Sequence, residues 1–195
     1  MTTPVTPRAI TVAQLCDLAE VSDDAKGALR PEHAPQDLVA ALVAGELFAD
    51  AVRVMAHALP KREGVWWAWM CARRAASSPG AAEADALAAT ERWIAQPTEP
   101  NRRAAFDASQ SATLETAAGC AALAAFLTSG SVAPPNVAAV PPPAFASAKA
   151  IAGGVTIAAV KTDPEHAPEK FRAFIQQSLD VAQRINLWGT APHSA

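Results

Sequence analysis

Apolar residues recur at helical spacing along most of this 195-residue chain, and prolines punctuate the pattern. Thr11-Val12-Ala13-Gln14 has the form of a capping box, with the Thr hydroxyl accepting from the third helical N–H and Gln reaching back. It predicts a short helix over about 11–20. The polar stretch 22–34, broken by Gly27 and Pro31, leaves room for one helical turn around 24–29. Pro35 suits a first helical position, and Leu38, Leu42, Phe48, Val52 and Met55 mostly keep one face until Pro60, which predicts a single helix from Pro35 to Leu59. Pro60 stops that helix and opens the next, which runs to about Ala76 and carries Trp66, Trp67 and Trp69.

Ser78-Pro79 reads as the start of a helix to about Gln96, with Leu87, Trp93 and Ile94 turned inward and Pro97 closing it. Thr98-Glu99-Pro100-Asn101 opens a short helix carrying Arg102, Arg103 and Phe106, followed by an Ala-rich helix over about 113–128. Residues 129–143 contain Pro134-Pro135 and Pro141-Pro142-Pro143, so helix cannot continue and extended geometry is favoured. A helix over about 144–160 follows, weakened at Gly153-Gly154, and Asp163-Pro164 caps a last one to about Asn186 with Phe171, Phe174, Ile175 and Leu179 on its apolar face. Only Val155-Thr156-Ile157-Ala158-Ala159-Val160 clusters β-branched residues enough for strand to compete. The pattern predicts an all-α fold of seven to eight helices, as an antiparallel bundle or a short stack of helical hairpins. It is organised as a disordered segment 1–10, a single helical domain 11–188 with a Pro-rich loop at 129–143, and a frayed tail 189–195.

Composition sharpens this picture. Ala fills 49 positions, a quarter of the chain, against 9 Gly and no Tyr, which favours helix and lets helices approach closely. A Trp buries roughly 200 Å², and successive helical positions turn about 100°, so the three Trp of one helix must face at least two neighbouring surfaces. A net charge of −3 argues against a nucleic-acid footprint, which needs a basic face. With no signal peptide and no 18-residue apolar window, the expectation is a cytoplasmic protein without a membrane span.

Chemistry is sparse. Cys16, Cys71 and Cys120 lie far apart in apolar stretches, which suits buried thiols rather than disulfides or zinc. His33, His57, His166 and His193 lack partners at metal spacing, and no phosphate loop, nucleophile elbow or dinucleotide fingerprint occurs. The expectation is therefore no catalytic residue, no cofactor and no metal. Lys61-Arg62-Glu63 at the start of the Trp helix is the strongest candidate, because Arg62 lies one turn before Trp66 and Trp and Arg anchor interfaces. Its structural alternative is a solvated helix start above a Trp core.

The run Ala58-Leu59-Pro60-Lys61-Arg62-Glu63-Gly64-Val65-Trp66-Trp67-Ala68, then Pro97-Thr98-Glu99-Pro100-Asn101-Arg102-Arg103-Ala104-Ala105-Phe106, then Pro141-Pro142-Pro143, resembles a bacterial family of uncharacterised proteins, DUF6931, from about Leu38 onward. The resemblance implies association with type VI secretion components such as spike-tip proteins and effector-loading adaptors. From these readings the expected function is a non-enzymatic protein-binding accessory factor, an adaptor or chaperone for a secreted effector, with Arg62, Trp67, Arg102 and Arg103 contacting an effector or spike protein. The alternative is a small-molecule or enzymatic site in a pocket between the Trp helix and the 100–110 helix, where Arg62 and Arg102 meet an anionic ligand. A third is a structural homo-oligomer with a self-complementary apolar face.

Overall fold

The computed structural model describes residues 11–30 and 32–188; the segments expected to be disordered at 1–10 and frayed at 189–195 lie outside the described residues. Ten α-helices occur there: α1 (Val12–Leu18), α2 (Asp23–Gly27), α3 (Pro35–Ala44), α4 (Phe48–Ala58), α5 (Lys61–Ala75), α6 (Ala81–Ala95), α7 (Glu99–Ala112), α8 (Ala117–Phe126), α9 (Ala146–Val160) and α10 (Ala167–Arg184). A 3-10 turn, Pro164–His166, precedes α10. The class is all-helical as expected, with more helices than seven to eight.

The extra helices have local causes. The predicted helix from Pro35 to Leu59 is two, because the chain reverses through Gly45 and Glu46; Glu46 takes the left-handed conformation (φ 59°) and Leu47 N–H donates to Leu42 O at 2.9 Å. The apolar stripe continues across this break, so periodicity alone reads it as one helix. The turn at α2 is a full short helix because the Ser22 hydroxyl accepts from Ala25 N–H while Ser22 donates to the buried Asp50 carboxylate of α4. The segment 155–160 is helical, so its β-branched residues follow the helix around them.

The Thr11–Gln14 capping box forms as expected, and Thr98 caps α7. Two helices begin later than the pattern suggested: α6 from Gly80, and α8 from Thr116, whose hydroxyl accepts from Gly119 N–H.

α8 is the centre of the fold and touches α5, α6, α7 and α9. Its sequence, Ala117-Ala118-Gly119-Cys120-Ala121-Ala122-Leu123-Ala124-Ala125-Phe126, has no polar face, and a helix that is apolar all round must be surrounded by protein. Only small side chains allow four neighbours to close on so short a rod. Gly154 of α9 serves the same contact, since a Cβ there would stand 2.9 Å from the Cys120 Cβ. α4 and α10 flank this group, and α1 and α3 pack on α4.

The three Trp of α5 do face two surfaces: Trp67 Nε1 donates to Phe174 O of α10 at 2.8 Å and Trp69 Nε1 to Leu87 O of α6 at 3.0 Å, while Trp66 is half-buried. Trp67 is 0% exposed. Trp67→Phe removes a buried donor and part of a large ring, and should destabilise by about 2–4 kcal/mol in urea unfolding.

Candidate functional site

Glu99, Arg102 and Arg103 stand at i, i+3 and i+4 of α7, which puts all three on one helix face. That face meets the end of α8 and the Pro-rich loop. Arg102 is 2% exposed, and its guanidinium makes four hydrogen bonds: Nε donates to Glu99 Oε2 at 2.6 Å, Nη2 to Glu99 Oε1 at 2.7 Å and to Ser131 O at 2.9 Å, and Nη1 to Phe126 O at 2.6 Å. It also lies over the Phe126 ring, 4.5 Å from the centroid. Arg103 repeats the arrangement at the surface, donating to Glu99 Oε1 and to Ser131 O. A buried cation needs this degree of pairing to be tolerated.

Two residues of the loop make the pairing possible. Gly130 sits at φ +70° against the guanidinium, where a Cβ would stand 2.9 Å from Nη2, so a side chain there would be strained and would displace the guanidinium from its partners. The Ser131 hydroxyl accepts from Ala133 N–H at 3.1 Å and Val140 N–H at 2.9 Å, and Val132 N–H donates to Val140 O at 2.8 Å. These bonds close 131–140 into an Ω-like excursion whose neck is tied to α7. The 129–143 loop is therefore docked on the helical body.

Between the two ends of this loop and the corner joining α4 to α5 lies a cleft of about 590 Å³, lined by His57, Leu59, Lys61, Leu127, Pro141–Pro143, Phe145 and the first turn of α9. Lys61 donates from Nζ to Thr128 O, just beyond the end of α8. His57 accepts no bond at Nε2, which is buried without a partner, while Nδ1 lies 2.8 Å from Arg53 O. A carbonyl only accepts, so Nδ1 carries the proton and Nε2 is left as an acceptor. Burial pushes the His57 pKa down, keeping the ring neutral. Phe145 stacks obliquely on His57 at 5.6 Å from a left-handed backbone (φ 59°), a conformation that disfavours a bulky residue. Val137, Val140 and Phe145 are 58, 49 and 44% exposed, so half of the six large exposed apolar side chains among the described residues belong to this loop and its exit.

The four residues expected to contact a partner do not make one surface. Trp67 and Arg102 are buried and bonded within the fold, which corrects their assignment as interface anchors: Trp67 stitches α5 to α10, and Arg102 holds the loop. Arg103 is half-buried on the same loop anchor, and Arg62 is exposed and donates to Ile94 O at 2.8 Å. Four donors of Arg102 go to Glu99, Phe126 and Ser131, and neither Arg62 nor Arg102 lines the cleft at the α4–α5 corner.

Sequence reasoning missed Glu99, Ser131 and Phe145. The Glu99–Arg102–Arg103 spacing was a readable signal; the backbone partner of the arginines, 28 and 29 residues away, was not.

All three cysteines are buried free thiols whose pKa burial raises, Cys71 most of all. Asp163, Glu165 and His166 bring ligand atoms within 4.8 Å of one another, all exposed, with His166 paired to Asp163 at 3.3 Å. No helix among the described residues is long and apolar enough to cross a membrane.

A family model described as a family of unknown function, DUF6931, matches residues 38–182. No curated protein and no solved structure matches the chain.

The Arg102 hydrogen bonds hold the Glu99 carboxyl down at about 2, from an ordinary 4.5. A depressed acid contributes stability that is complete above 4.5 and lost as pH falls toward 2. Thermal melts from pH 7 to pH 2.5 should therefore show Glu99→Gln less stable than wild type at neutrality, with the difference shrinking below about pH 4.

Proposed function

The chain belongs to the DUF6931 family, and from that starting point we propose that it is a non-enzymatic protein-binding accessory factor whose docking site is the cleft and apolar rim of the Pro-rich loop. One observation carries this reading. Val137 and Val140 on the loop and Phe145 at its exit stay in solvent while buried Arg102 and half-buried Arg103 tie the loop's neck at Ser131, so apolar surface is left exposed beside an anchored segment. Exposed apolar side chains together with a concave cleft favour association with another chain.

The more specific reading is an adaptor or chaperone that holds a secreted effector of a bacterial type VI secretion system in the cytoplasm before loading. It rests on the resemblance described above.

Affinity purification of the tagged protein from its host, compared with Val140→Asp and Phe145→Asp, tests both levels. The expected result is stoichiometric recovery of a partner with wild type and about a tenfold lower yield with either variant at unchanged melting temperature. A spike protein or toxin as that partner supports the adaptor reading. Recovery of the protein alone overturns the protein-binding reading.

A further inference from the structure

We infer that this cleft receives the carboxyl-terminal end of an extended apolar peptide, with Lys61 taking the terminal carboxylate. The inference rests on the protein-binding reading of the same site.

Charge complementarity selects this occupant. The chain carries 19 acidic against 16 basic residues, yet no Asp or Glu lines the cleft and Lys61 is its one lysine or arginine. The Lys61 ammonium has three donors. One goes to Thr128 O, which fixes the group at the end of α8, and the other two meet no protein partner among the described residues.

The start of α9 also lines the cleft. Its N-cap, Phe145, supplies no side-chain bond; Ala146 N–H donates to Pro143 O, while the N–H groups of Ser147 and Ala148 find no partner among the described residues. The Ser147 hydroxyl is turned away to Ala124 O. Free N–H groups at a helix start add to the attraction for negative charge.

The rest of the lining is apolar: Leu59, Leu127, Pro141–Pro143, Phe145 and Ile151 suit one or two hydrophobic side chains. His57 Nε2 is the polar exception, an acceptor without a protein partner that lies buried beneath Phe145.

The test is an NMR titration of the ¹⁵N-labelled full chain with N-acetyl-Ala-Val-Leu-Phe, as the free acid and as the carboxamide, at pH 7. The free acid should shift the Lys61, Gly130, Ser147 and Ala148 amides and bind at least about fivefold tighter than the carboxamide. Lys61→Met should abolish that difference and Lys61→Arg preserve it, which separates loss of charge from loss of fold. Equal binding of acid and amide, or no shifts at millimolar peptide, overturns the inference. So does Lys61-dependent binding of decanoate without peptide binding, which would mark a site for small amphipathic acids. If a co-purified partner still depends on Val140 and Phe145 while acid and amide behave alike, the carboxylate inference alone falls.

Discussion

The buried guanidinium of Arg102 ties the Pro-rich loop to the helical body. It meets α7 through Glu99, the last turn of α8 through Phe126 O, and the loop through Ser131 O. A cation at the C-terminal end of α8 also opposes the negative end of that helix dipole, and Lys61, bonded to Thr128 O, adds a second one there. Without a paired acid, Arg102 could not stay dry. Glu99 supplies it from the same helix, so charge, helix end and loop position are one arrangement.

That arrangement depends in turn on how closely the helices pack. α8 reaches α5, α6, α7 and α9 at once because eight of its ten residues are Ala or Gly or a buried Cys, and its bulk comes from Leu123 and from Phe126 at the end. The Phe126 ring closes the core against Phe106, 4.3 Å between centroids, and presents its face to Arg102 and Arg103. An Ala-rich interior thus leaves the large residues to act at its margins: Trp67 at α10, Trp69 at α6 and Phe126 beneath the arginines.

The cleft follows from the same economy. Small helices end abruptly, and the chain leaving α8 must travel through prolines before it can start α9. Because the neck of that excursion is pinned, its apolar residues cannot fold back into the body. Phe145 instead takes a strained backbone and covers His57. Strain of this kind persists only where the surroundings fix it, and here they consist of the α4–α5 corner and the first turn of α9.

The helical class, most helix limits, the need for the three Trp of α5 to face two neighbours and the place of the Pro-rich loop were legible in the amino-acid order, because these are short-range consequences of periodicity, caps and proline geometry. That order did not determine the break at Gly45–Glu46, since an apolar stripe continues through a turn that keeps the same side inward. Nor could it place Arg102 and Trp67, which look like surface anchors by residue type and are interior by position. Only the tertiary structure decides that, for the acceptors that hold them, Ser131 O and Phe174 O, are backbone atoms 29 and 107 residues away, and a carbonyl leaves no mark in the sequence.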